Sequence, residues 1–166
     1  MALSDGQVRE RFGKFSWREV GRGIVAPEAG WVARNIVTVK TPFPLPVGKE
    51  QTGRIRCHRL VAEGILAALE ELKEERLCGL IHSFDGCYVP RHVGWSAKRP
   101  LSRHAWGIAL DMNAAEFPYG SIKRQDQRLV AIFARQGFLC GQKGGGLWKA
   151  TVDPMHFEYC LRVSGS

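Results

Sequence analysis

Ser102-Arg103-His104-Ala105-Trp106-Gly107-Ile108-Ala109-Leu110-Asp111 decides how the rest of the chain is read, and Asp153-Pro154-Met155-His156-Phe157-Glu158 answers it further on. The first stretch runs into Ile108-Ala109-Leu110-Asp111-Met112, apolar except at one position, which predicts a buried strand. An ionised aspartate inside such a run is costly unless something compensates it. A metal ion held jointly with His104 and His156 would do so. Two neutral imidazoles and a carboxylate are a common donor set for zinc, which in hydrolytic sites takes three protein ligands and keeps a fourth position open. The seven-residue step from His104 to Asp111 is not the i, i+4 spacing of a metal-binding helix, so a loop followed by a strand is expected, with Trp106-Gly107 turning the chain. Glycine at 107 then has a reason, since a Cβ would obstruct that turn or the metal's approach. Asp153 precedes His156 by three residues with Pro154 fixing the chain between them. A carboxylate so placed can take a proton from the attacking water and deliver it to the leaving amine.

Outward from these stretches, the most secure helix is expected between Thr52 and Leu77, where Val61, Ile65, Ala68, Leu69 and Leu72 recur at helical spacing and Arg, Glu and Lys fill the other face. Gly79 is its expected stop, with a strand over Leu80–Phe84 after it. Residues 85–103, rich in Gly, Pro and Arg, read as a functional loop or lid. A second helix is expected from Ile122 to Gln136, capped by Ser121 and ended by Gly137. Two short strands, Phe138–Gly141 and Met155–Tyr159, follow, joined through Gly144-Gly145-Gly146. Within residues 1–50, broken every few residues by Gly or Pro, only Trp31–Lys40 reads as a strand, and Thr41–Pro46 must be extended and laid over the main body. Helices and strands mix without βαβ alternation, so the fold class is α+β, a small antiparallel sheet flanked by helices in a single domain. The division expected is an N-terminal extension, 1–50, packed on a main domain, 51–166. Ser164-Gly165-Ser166 is expected to be disordered.

The chain has 166 residues, 45% of them apolar, enough for one hydrophobic core. It contains no run of eighteen apolar residues and no basic start with an apolar stretch, so synthesis in the cytoplasm without a signal peptide or membrane insertion is expected. Five cysteines, at 57, 78, 87, 140 and 160, form no C-x-x-C pair and are odd in number, which predicts reduced thiols in or near the core. A net charge of +8 points to an anionic partner: nucleic acid, an anionic membrane or a bacterial wall. The cations are spread along the chain and no nucleic-acid motif accompanies them, which disfavours nucleic acid.

Ser102-x-His104-x-x-Gly107-x-Ala109-x-Asp111 followed by Asp153-x-x-His156-Phe157-Glu158 resembles the M15 family of zinc peptidases, the D-alanyl-D-alanine carboxypeptidase and L-alanyl-D-glutamate endopeptidase group that cuts bacterial wall peptides. The resemblance covers roughly residues 79–160. It implies a DD-peptidase-like zinc fold, with Zn2+ held by His104, Asp111 and His156 and the acidic residue before the last histidine as general base. That residue is Glu in the dipeptidase and many carboxypeptidase branches and is Asp153 here, as in the branch that includes phage endolysins. Glu158 is the runner-up base, or an acceptor that orients His156. Arg91, in Gly86-Cys87-Tyr88-Val89-Pro90-Arg91, resembles the family arginine that donates to the scissile carbonyl, a role for which Arg99 and Arg103 compete. Ser102 and Tyr88 are the expected substrate contacts, although the Ser102 hydroxyl could equally hold the loop. Trp95, Trp106 and Trp148 either line the cleft or fill the core. His58 reads as ordinary, and His82 and His92 as ambiguous.

The resemblance implies a peptidase acting on peptidoglycan, of L-Ala-D-Glu endopeptidase type, with a D-Ala-D-Ala carboxypeptidase as the alternative; separately, a monomer is expected. A non-catalytic zinc-containing wall-binding domain is the reading from another class. A phage lysin acting on the wall and a recycling enzyme acting on cytoplasmic wall fragments both fit.

Overall fold

A computed structural model gives the structure of residues 1–160. Ser164-Gly165-Ser166 lies outside the described residues. Ser4 opens helix α1 (Asp5–Phe12) with a capping box: its hydroxyl accepts the Gln7 N–H while the Gln7 side chain accepts the Ser4 N–H. A short antiparallel hairpin follows, β1 (Trp17–Gly21) with β2 (Ile24–Pro27), and then helix α2 (Ala29–Asn35). Strands β3 (Ile36–Val47) and β4 (Glu50–His58) pair antiparallel and lead into helix α3 (Ala62–Glu74). After it come β5 (Phe84–Gly86), β6 (Ala109–Met112), helix α4 (Gln127–Arg135), β7 (Phe138–Gly141) and β8 (Asp153–Tyr159). The last four strands form one antiparallel sheet in the order β5-β6-β8-β7. The class is therefore α+β, a small antiparallel sheet with helices against it. Val8, Phe12, Trp31 and Leu45 share one buried cluster with Ile65, Leu69, Leu110, Phe133 and Phe157.

Several sequence expectations are corrected. The helix expected from Thr52 begins only at Ala62, because residues up to His58 form β4. Ile55 and Cys57 are buried while Arg54 and Arg56 are exposed, a two-residue period that the helical pattern, starting at Val61, never included. His58 makes the corner, its Nδ1 accepting from the Leu60 N–H and its carbonyl from the Val61 N–H. The helix ends at Glu74, and Arg76, in the left-handed conformation (φ 59°), turns the chain away before Gly79 is reached. The strand expected over Leu80–Phe84 begins only at Phe84, as β5: a 3-10 turn occupies Cys78–Leu80, and the Asn113 side chain accepts both the His82 and Ser83 N–H groups. Asp126, not Ser121, caps α4, by accepting the Arg128 N–H; the buried pattern begins only at Leu129, and Ile122 is exposed. In the N-terminal part, where the sequence predicts only a strand over Trp31–Lys40, Trp31–Asn35 is helical, and α1, β1 and β2 come before it. Thr41–Pro46 is extended as expected, but it belongs to β3, with Leu45 fully buried and the register broken between Lys40 and Leu45 where prolines cannot donate. Glu50, the last residue of the expected N-terminal extension, opens β4 and pairs with Val47.

Candidate active site

Two histidines and an aspartate meet at the centre of the sheet because strand register puts them there. Asp111 on β6 lies directly opposite His156 on β8. His104 comes from a 3-10 turn, Arg103–Trp106, that Ser102 caps by accepting the His104 N–H at 3.3 Å. Gly107 ends the turn in the left-handed conformation. A Cβ there would stand 2.9 Å from the His58 nitrogen and 3.2 Å from Cys57, so glycine is required by the approach of β4, not by the metal's path. The Gly107 carbonyl accepts the His58 N–H at 2.9 Å, which locks the turn onto β4.

Within the cluster, Asp111 Oδ1 lies 3.0 Å from His156 Nδ1 and Asp111 Oδ2 lies 3.1 Å from His104 Nε2. The three ligand atoms all fall within 4.8 Å of one another. Each imidazole has its outer nitrogen occupied. His104 Nδ1 donates to the Cys87 carbonyl at 2.9 Å, and His156 Nε2 donates to Glu158 Oε2 at 3.2 Å. These outer bonds set the tautomers and leave His104 Nε2 and His156 Nδ1 facing inward as lone-pair donors. His104 is buried, and its Nε2 has no hydrogen-bond partner. Donors about 2.0–2.2 Å from a tetrahedral zinc would sit roughly 3.3–3.6 Å apart; the two imidazole–carboxylate separations, 3.0 and 3.1 Å, are near this, so the residues present fit the ion with small adjustments.

The closeness of the three groups couples their charges. Burial raises the Asp111 carboxyl, but His104 and His156 outweigh it and hold it far below its ordinary range. Burial depresses His156, yet Asp111 and Glu158 push it up to about 9. In the metal-free chain the carboxylate is thus the charge around which the imidazoles organise.

Asp153, at the start of β8, is half-buried beside the cluster, and its Oδ1 has no partner. Burial raises its pKa, Asp111 adds to this, and His156, His104 and Arg91 pull the other way. A carboxylate displaced upward is better matched to proton transfer near neutrality than a free one. Arg91 lies 3.6 Å from Asp111 Oδ2, with its guanidinium 4.8 Å from the centre of the Trp95 ring and its Nε buried without a partner. Arg91, Ser102, Asp111, Asp153, His156 and Glu158 all border one cleft of about 610 Å³, with Trp95 and Trp148 on its walls. Trp148 stacks on the His156 ring, centroids 5.3 Å apart and 14° from parallel. Trp106 is buried and donates to the Gly13 carbonyl.

The competitors separate cleanly. Glu158 is buried against His156 and within 3.4 Å of Arg103 Nε, which makes it a support for the imidazole. Arg103 is further engaged by Asp5 at 2.7 Å and by the Leu3 carbonyl at 2.8 Å. Arg99 borders the cleft, but Arg91 is the arginine beside Asp111. Tyr88 lies under the Arg56 guanidinium, 4.9 Å from its ring centre, and is not among the residues bordering the cleft. His82 is an exposed partner of Glu116, and His92 bridges Glu19 and the Arg99 carbonyl. The five cysteines are free, four of them buried.

Sequence reasoning missed the support around these groups. Arg91 sits in a three-segment patch: Val25 N–H donates to the Pro90 carbonyl, His92 N–H to the Gly23 carbonyl, and Ser102 N–H to the Arg91 carbonyl. A second omission is the buried trio Asn113, Gln125 and Gln142, whose amides interlock behind β6 and β8. Asn113 alone carried a signal, a residue tolerant of left-handed backbone just after a strand (φ 59°).

Among family models, residues 95–159 match that described as D-alanyl-D-alanine carboxypeptidase, of peptidase family M15. No solved structure matches the chain significantly.

Proposed function

We propose, from the match of residues 95–159 to a family model of M15 peptidases, that the chain is a zinc-dependent peptidase that cuts stem peptides of bacterial peptidoglycan, as an endopeptidase of the L-Ala-D-Glu, endolysin-like type. The observation that carries the zinc reading is the buried, unpartnered His104 Nε2 facing an aspartate and a second inward-facing imidazole nitrogen. When bound by His104, Asp111 and His156, zinc supplies Lewis acidity that polarises the scissile carbonyl and acidifies the attacking water. The rest falls to the protein. Asp153 accepts the proton that water loses on attack and returns it to the nitrogen of the leaving amine. Arg91 donates to the carbonyl oxygen as negative charge develops there, its guanidinium aimed by the Trp95 ring and the backbone patch. Glu158 keeps His156 in the tautomer that turns Nδ1 inward. Trp148 and Trp95 give the cleft apolar walls.

The family model's own description favours a second reading, a carboxypeptidase that removes terminal D-Ala. In either case the net charge of +8 suits a substrate embedded in an anionic wall. Zinc-loaded protein incubated with purified peptidoglycan and defined stem peptides, with products read by mass spectrometry, tests both. New L-Ala carboxyl ends and D-Glu amino ends support the endopeptidase, and released D-Ala supports the carboxypeptidase. No cleavage by folded, zinc-loaded protein overturns the reading and leaves a binding domain.

A further inference from the structure

We propose that Gln125 is a positioning residue for Asp153, closing the point where β6 and β8 stop pairing and so fixing where the Asp153 carboxylate stands relative to Asp111 and His156. The inference rests on the peptidase reading above.

The β6–β8 ladder runs Ala109 to Glu158, Leu110 to Phe157 and Asp111 to His156, and goes no further. Pro154 has no N–H with which to extend it. On the other side of β8 the register slips: Cys140 faces Phe157, but the next residue, Gly141, faces Asp153. A regular strand would send residues three apart to opposite faces. The slip breaks that alternation, and Asp153 and His156 both reach the cleft. A bulge that lacks ladder bonds needs other support.

Gln125 provides it. Its Nε2 donates to the Met112 carbonyl at 2.9 Å and to the Pro154 carbonyl at 3.2 Å, the residues that directly follow Asp111 and Asp153. Its Oε1 accepts from Asn113 Nδ2 and its backbone N–H donates to Gln142 Oε1, both at 2.9 Å. The residue is 2% exposed and does not border the cleft, so it acts through the backbone and touches no substrate. His104 and His156 have separate anchors in Cys87 and Glu158, so the metal cluster does not depend on this amide.

The test replaces Gln125 by methionine, which keeps the length and removes both donors. In the full-length, zinc-loaded chain, kcat is expected to fall about 10–100-fold, the range seen when supporting hydrogen bonds at metal sites are lost, with KM within about twofold. Zinc affinity by chelator competition stays within about threefold, and hydrogen exchange across residues 153–157 quickens. Val130→Ala, a core truncation in α4, supplies a comparable loss of stability and should leave kcat unchanged below both melting temperatures. A kcat for Gln125→Met within twofold of the parent overturns the proposal. So does an equal loss in Val130→Ala, or a parallel loss of zinc affinity. Should Gln125→Met fail to fold, Gln125→Asn keeps the neutral amide and withdraws both donors by one methylene, and it is read in the same way. If the parent chain cleaves nothing, the peptidase reading falls on its own. Exchange at 153–157 still decides whether Gln125 holds the bulge, and unchanged exchange overturns that.

Discussion

His104, Asp111 and His156 stand on strand register and buried anchors, whereas Arg91, a few ångströms away, stands on a patch of three short segments whose outermost piece is Gly23–Val25. The cluster and Asp153 lie inside the 95–159 match, and Arg91 lies outside it, held from the N-terminal hairpin. The difference separates what binds an ion from what aims a cation at a carbonyl. Damage to the sheet centre should remove the metal, and damage to the hairpin should spare the metal and slow the reaction.

The largest effect expected is that of Asp111→Ala, which leaves two imidazoles and no carboxylate among the ligands. Zinc retention after gel filtration and hydrolysis should both be lost, the latter by ~10³-fold or more, and chelation of the parent enzyme should do the same, reversibly. Asp153→Ala comes next. It should keep one zinc per chain while kcat falls by about 10²–10⁴-fold. Retained activity would move the base to Glu158, whose own replacement by glutamine is expected to weaken zinc binding or activity by about 10–100-fold through His156.

The hairpin side of the comparison is tested by Gly23→Ala. Gly23 has a φ of 73°, and a Cβ there would lie 2.2 Å from the Trp95 carbonyl carbon, so the hairpin or the Trp95 turn must shift. Misplacement by about 1 Å can cost 10²-fold, so a partial shift of Arg91 is expected to lower kcat on the order of tenfold with zinc affinity unchanged. Loss of zinc in this variant would erase the distinction between the two regions.

The same contrast explains what could be read from sequence. His104, Asp111 and His156 were legible because a charged residue in an apolar strand demands a partner, and the partners sat in short, ordered motifs. Asp153 was legible by its nearness to His156, but the slip that turns it inward was not, because strand irregularities leave no periodic trace. β4 was absorbed into the helix because its alternation covers only Ile55 and Cys57. The supports are invisible for a different reason. Gln125, His58 and His92 each act on residues distant in the chain, through hydrogen bonds that composition and spacing do not encode.

The smallest effect expected concerns the clasp between hairpin and arginine. His92 Nε2 lies 2.8 Å from Glu19 Oε1, while its Nδ1 lies 2.6 Å from the Arg99 carbonyl, so both ring nitrogens meet acceptors and the imidazolium is favoured. The bond to Glu19 raises His92 above its ordinary range, and the bond to His92 lowers Glu19 below its own. The folded chain therefore keeps the His92 proton at pH values where the unfolded chain, titrating near ~6.5, has released it. That stabilisation is complete below about 6.5 and fades as pH climbs through the raised value, while Glu19's share is present above about 4.3 and is lost as pH falls through its lowered value. Proton NMR of the His92 ring should show a midpoint above ~6.5 that returns toward it in Glu19→Gln. Because the three backbone bonds of the patch persist in both forms, kcat should change by less than about threefold in that variant. A midpoint at or below 6.5 in the parent would mean that Arg91 is held by those backbone bonds alone. The hairpin would then act as a strand added to the patch, and Gly23→Ala would become the sole lever on the arginine.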